Sequence, residues 1–143
     1  MPVDKLDVAC ELLDRALRLY YEGDSYFASL HLAGAAEEIF GVYARRCGME
    51  SAFTNFRRAA TKMAKYFGSD QEDSESHSIG ELMNRAKNQT KHGHGAVTFD
   101  AATEAKEILD RAVSDYYALM NHYSQLQETE LIGRFNRELT GAA

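Results

Sequence analysis

This sequence predicts an all-α protein, an up-and-down four-helix bundle with additional short helices, and three observations carry that prediction. Apolar residues recur at spacings of three and four rather than two, the period of a helix. The one proline stands at position 2, so nothing of that kind interrupts a long helix. Glycines and short polar residues fall where the periodic stretches should stop and start. A chain of 143 residues has the length for one sizeable core, so a single domain over 1–143 is expected, with its core in about 3–126 and an amphipathic extension over about 129–140.

The elements follow in order. Leu6, Cys10, Leu13, Leu17 and Tyr20 place a first helix over about Val3 to Glu22, which Gly23 ends. Asp24 or Ser25 can cap a second, from about Tyr26 to Cys47, with Phe27, Leu30, Ala33 or Gly34, Ala36 or Glu37, Phe40 and Tyr43 turned inward and Gly48 as a left-handed stop. The small run Ala33-Gly-Ala-Ala36 lets a neighbour approach closely. Ser51 caps a third helix reaching about Phe67, with Phe53, Phe56, Ala60, Met63 and Phe67 as its apolar side and Gly68 closing it. Residues 69–76 read as a solvated acidic loop. Ser78 with Glu81 forms a capping box that would start the fourth helix, whose Ile79, Leu82, Met83 and Ala86 face the core and which Gly93 and Gly95 end. After a short, extended connection, Asp100 caps the longest helix, where Ala105, Leu109, Ala112, Tyr116, Leu119, Tyr123 and Leu126 alternate spacings of four and three, the seam of a left-handed bundle. Leu131, Phe135 and Leu139 then mark a smaller amphipathic stretch that can pack on the bundle or on a second chain.

Composition narrows the class further. Hydrophobic residues are 45% and charged residues 27%, the balance of a globular chain rather than a disordered one. No stretch approaches the roughly 20 apolar residues of a membrane span, and Met1-Pro-Val-Asp-Lys5 lacks the order of a signal peptide, so a cytoplasmic protein with no membrane partner is expected. Cys10 and Cys47 are too few and too scattered for a disulfide framework or a zinc motif and read as reduced thiols. The net charge of −6 argues against a nonspecific nucleic-acid coat. It is unevenly spread: residues 44–68 carry six basic and one acidic side chain, and residues 84–95 carry three basic and none acidic.

That second basic segment, Asn84-Arg-Ala-Lys-Asn-Gln-Thr-Lys-His92, holds the candidate chemistry. Seven positions make about two helical turns, so Arg85, Asn88 and His92 stand on one stripe, and the stripe is polar where a core-facing helix would be apolar. Histidine titrates near neutral pH and can take or give a proton, while arginine stays charged and grips phosphate oxygens in pairs. Arg85, Asn88 and His92 are therefore candidate catalytic residues, with Lys87, Lys91, His94 and Glu38 as candidate binding residues.

On these residues the chain resembles the HEPN superfamily, small helical bundles whose signature is an Arg followed four to six residues later by a His on a late helix. Leu30-His-Leu-Ala-Gly-Ala-Ala-Glu-Glu-Ile-Phe40 is similar to that family's alanine-rich second helix, which carries an acidic residue before an apolar pair. The resemblance covers about residues 3–126. It implies RNA binding or a metal-independent endoribonuclease without cofactor, in which two chains bring their Arg and His together at a homodimer interface. His92 would then move the proton and Arg85 hold the scissile phosphate. Many active members place a polar residue directly after the Arg; this chain has Ala86 there and offers Asn88 two positions later.

Other readings compete with it. A non-catalytic interaction or regulatory module would use the same polar stripe and the C-terminal segment to hold a protein partner. The basic belt of Arg45, Arg46, Arg57, Arg58, Lys62 and Lys65 is a solvated face that could also guide a phosphate backbone or bind a nucleotide. His92 and His94, with His77 or Asp100, lack the four-ligand spacing of a zinc site, and the Glu-x-x-His pairs of a di-iron bundle do not occur, so no metal is expected. Glu37 and Glu38 lie where a core stripe passes, and a carboxylate there is expected to pair with an arginine or amide. The tyrosines follow apolar spacing and read as core or interface.

Overall fold

The computed structural model describes residues 1–66 and 72–141, and of residues 72–76 the backbone alone. Within these residues the chain is all-helical: α1 (Lys5–Glu22), α2 (Tyr26–Arg46), α3 (Ala52–Tyr66), α4 (Glu72–Met83), α5 (Arg85–Lys91), α6 (Ala101–Met120) and α7 (Glu130–Thr140). No described helix is long and apolar enough to cross a membrane.

Local chemistry sets most of the boundaries. The Asp4 carboxylate accepts the Leu6 amide at 2.9 Å and starts α1, and Gly23, at φ 83°, ends it in the left-handed conformation that an added side chain would strain. Ser51 Oγ accepts the Thr54 amide at 3.2 Å ahead of α3. Asp100 accepts from Thr103 at 3.0 Å ahead of α6, and Thr129 caps α7 through the Ile132 amide at 3.2 Å. Ser25 precedes α2 without a side-chain capping bond, its hydroxyl turned to Asp24.

The core lies among α1, α2 and α6. Helix α2 packs most extensively on both of the others, and fully buried Leu6, Leu13, Leu17, Leu30, Phe40, Ile108, Leu109 and Leu119 fill the space between them. Each such side chain contributes roughly 1.5–3 kcal/mol relative to exposure. Alanines at 9, 16, 33, 36, 105 and 112 are buried as well, which lets the helix axes draw together. The Ser29 hydroxyl, buried among them, donates to the Ala16 carbonyl at 2.7 Å, so its burial costs no orphaned polar group. Helix α7 packs against α1 and α6 through Ile132 and Phe135, with the Phe135 ring edge-on to Tyr20. Helices α3 to α5 hang on this core more loosely: α3 and α4 pair with each other, α3 touches α6, and α5 rests on α2 and α4.

Four expectations change here. The fourth helix does not start at Ser78; α4 begins at Glu72, so the backbone of residues 72–76 is helical and Ser78 and Glu81 lie inside a helix, with Glu81 beside His77 at 3.1 Å. Only residues 69–71 of the expected loop, with Phe67 and Gly68, lie outside the described residues. The helix expected to run on to His92 breaks at Asn84, where the amide is shared between the carbonyls of Gly80 and Glu81 at 3.2 Å each. The expected apolar sides of α3 and α4 are open, with Phe56, Met63 and Leu82 about 60% exposed. Helix α6 stops at Met120 and is shorter than α2, yet Leu126 is buried and Tyr123 half-buried because the chain folds back, held by Tyr116 Oη donating to the Gln127 carbonyl at 2.6 Å.

Candidate functional site

Helix α5 is seven residues long and shows different faces to different neighbours. Its inner face is Ala86, fully buried, and Lys87, only 5% exposed. The Lys87 stem lies across Gly34 of α2, where an added Cβ would overlap Cδ and meet Cε at 3.4 Å. Its Nζ reaches Glu38 Oε1 at 3.1 Å, and Glu38 itself stays exposed. The small run in α2 is thus occupied by a lysine stem as well as by helix packing. One turn on, the Thr90 hydroxyl sits 2.5 Å from His31 Nε2 and within reach of the Ala86 and Lys87 carbonyls. Burial, then the Lys91 and Lys87 charges, pushes the His31 pKa down and favours neutral imidazole.

The outer face carries the polar stripe. Arg85, Asn88 and His92 line one open concavity with Gln89 and, across the break at Asn84, with Ser78, Glu81 and Leu82 of α4. Arg85 opens the helix and its Nη2 lies 3.3 Å from Glu104 Oε1 of α6. His92 caps the helix, its amide bonded to the Asn88 carbonyl at 3.0 Å and its ring exposed. Lys91 and His94 are also exposed, His94 on a turn between Gly93 and Gly95, both at positive φ. Among the described residues no three His, Cys, Asp or Glu side chains gather as a metal site would require. Lys87, chosen as a binding residue, points inward instead, and Glu38 is its ion-pair partner.

Beside α5 on its inner side lies a wider concavity of about 640 Å³ between α2 and α3. Under it Glu37 and Arg111 of α6 form a nearly buried ion pair, Arg111 Nε donating to Oε2 at 2.5 Å. The guanidiniums of Arg111 and Arg57 lie 5.5 and 5.7 Å from the centre of the Phe53 ring. Asp115, one turn beyond Arg111, accepts the Ala52 amide at 2.7 Å and so holds the start of α3, while its Oδ2 has no hydrogen-bond partner among the described residues. Burial, aided by the Glu37 charge, pushes its pKa up to about 6. Cys10, half-buried under Asp7 and Asp4, is pushed up to about 11 by burial first and those charges second, which leaves it a protonated thiol at neutral pH.

No family model matches this chain, and neither a curated protein nor a solved structure does. Function therefore rests on the geometry. Sequence reasoning did not single out Arg111, Asp115, His31 or Thr90. Arg111 and Asp115 carried a readable signal, since each adjoins the Leu109–Ala112–Tyr116 seam, where a charge needs a buried partner.

Proposed function

We propose that the chain is a HEPN-like helical bundle that binds RNA, and cleaves it without a metal as a homodimer, through Arg85, Asn88 and His92. The observation that carries this reading is their meeting in one open concavity with the His92 ring exposed. Cleavage through the RNA's own 2′-hydroxyl needs a base to take that proton and an acid to protonate the leaving 5′-oxygen. One His92 accepts the proton as the 2′-oxygen attacks phosphorus and the bond to the 5′-oxygen breaks. The second His92, from the other chain, donates, leaving a 2′,3′-cyclic phosphate and a 5′-hydroxyl. Arg85, tethered among the described residues to Glu104 at 3.3 Å, can turn to the non-bridging oxygens, and the Asn88 amide can donate to them.

The test is incubation of wild type and His92→Ala with a structured RNA in the presence of chelator, the products being analysed for cyclic-phosphate ends. Cutting by wild type and at least a hundredfold slower cutting by the variant is the expected result. Equal cutting by both, or none by wild type, removes the nuclease reading. A second reading, a non-catalytic interaction module, draws on a separate observation: Phe56, Met63 and Leu82 leave the α3–α4 unit with a substantial apolar surface. That reading expects Phe56→Ser with Leu82→Ser to abolish self-association while Arg85→Ala leaves RNA association unchanged.

A further inference from the structure

We propose that the concavity between α2 and α3 is a second binding site, one that takes a phosphate-bearing ligand between Arg45 and Arg57. It stands independently of the Arg85–His92 reading, because α5 turns about 200° between Arg85 and Lys87 and so presents the two to different sides. Its size, about 640 Å³, suits a ligand as large as a nucleotide.

Charge comes first. Three cations, Arg45, Arg57 and Lys87, line the concavity with two carboxylates, Glu37 and Glu38. Glu37 is already neutralised by Arg111, and Glu38 by Lys87. Among the described residues neither Arg45 nor Arg57 is in an ion pair, so two guanidiniums face one opening without a carboxylate in contact, Arg45 meeting the charge of Asp115 only at longer range. Arginine forks match phosphate oxygens in pairs.

Shape comes second. The Arg45 guanidinium folds back over Gly41, where an added Cβ would meet its Nη1 at 3.4 Å and the Ser51 Cβ at 3.6 Å. The absence of a side chain at 41 thus lets Arg45 lie along the floor beside the Ser51–Thr54 hydroxyl pair, itself 3.0 Å apart. Across the opening, Arg57 is steadied over the Phe53 ring.

The Lys87–Glu38 pair adds a displaceable anion. Lys87 Nζ is buried and held in place by its stem, whereas the Glu38 side chain is 67% exposed and moves into solvent freely. A phosphate oxygen arriving at Lys87 takes the place of that carboxylate. The same phosphate chemistry is offered by a free nucleotide and by the backbone of an RNA strand, and the two are separable by experiment.

The probes are inorganic pyrophosphate, adenosine monophosphate and a labelled oligoadenylate of twelve nucleotides, titrated against wild type, Arg45→Gln, Glu38→Gln and His92→Ala at low ionic strength. Wild type should bind, Arg45→Gln at least tenfold more weakly, Glu38→Gln several-fold more tightly because the competing carboxylate is gone, and His92→Ala should bind pyrophosphate and the monophosphate as wild type does. Loss by Arg45→Gln confined to the oligonucleotide identifies the backbone as the source; loss shared by the monophosphate and pyrophosphate identifies a free ligand. Absence of binding to wild type by all three probes, or unchanged affinity of Arg45→Gln for each probe that binds, overturns the proposal. Because Arg45 and Glu38 are both exposed and their variants move affinity in opposite directions, misfolding cannot mimic the expected pattern. Retained monophosphate binding by a cleavage-dead His92→Ala separates this site from the Arg85–His92 reading.

Discussion

Gly34→Ala should destabilise this protein even though it places the best helix former in the middle of a helix. Taken alone, the exchange gains about 1 kcal/mol of helix propensity. Here the new Cβ overlaps Lys87 Cδ while meeting Cε at 3.4 Å and Cγ at 3.5 Å in ordinary contact, and the lysine cannot step aside simply, being 6% exposed along its side chain and tied to Glu38. Forcing an extra carbon into such a contact costs about 1–3 kcal/mol. The net expected change is therefore a loss of about 0–2 kcal/mol, small enough to need an internal reference. Lys87→Ala supplies it: with the stem gone, Gly34→Ala should stabilise by its full propensity term of about 1 kcal/mol. Urea unfolding of the four proteins in this cycle, compared at constant m-value, should yield a coupling of about 1–3 kcal/mol between positions 34 and 87. A coupling below about 0.5 kcal/mol, or stabilisation by Gly34→Ala in the presence of Lys87, would refute the notch-and-stem account of how α5 is seated.

Two further outcomes are expected. Asp115 holds its proton up to about pH 6 in the fold, against about 3.9 in an unfolded chain, so its contribution to stability is intact below pH 4 and is lost as pH rises through 6, a difference on the order of 3 kcal/mol. The stability of Asp115→Asn relative to wild type should accordingly climb between pH 4 and pH 6 and level off above; a flat difference over that range would show that the carboxyl is not the titrating group. Arg111→Ala should cost about 3–5 kcal/mol by leaving Glu37 buried and uncompensated, whereas Glu37→Leu with Arg111→Met should come close to wild type, as chemical denaturation of both variants would show.

The helical class and most helix ends were legible because they depend on local chemistry. Asp4, Ser51, Asp100, Gly23 and Gly48 each mark a terminus through a capping bond or a left-handed residue, and the structure places boundaries within two residues of them. The exceptions have separate causes. Ser78 and Glu81 satisfy a capping-box pattern, but the same residues suit a helix interior, and α4 starts earlier, at Glu72. The break at Asn84 carries no proline or glycine and is a backbone event that side-chain periodicity does not register. Tyr123 and Leu126 continue the seam of α6 yet reach the protein interior through a turn, since burial can be met by more than one backbone path. The same limit applies to the candidate site. That Arg85, Asn88 and His92 share a face follows from spacing, and Glu37 was expected to find an arginine. Lys87 differed from Lys91 only in three dimensions, because a lysine beside core-facing Ala86 gives no sign of being the one that α2 has room to receive.

The brevity of α5 has a consequence for the order of assembly. Seven residues are well below the 12 to 15 at which even favourable helices become marginal in water, so α5 holds its shape against its neighbours, α2 and α4. The α1–α2 pair, joined by three residues, makes its contacts locally and can form early, while α5 and its lysine have nothing to dock into until then. Arg85, Asn88 and His92 are therefore aligned in a chain whose α2 and α4 are in place, and partly folded chains carry these three side chains without the concavity.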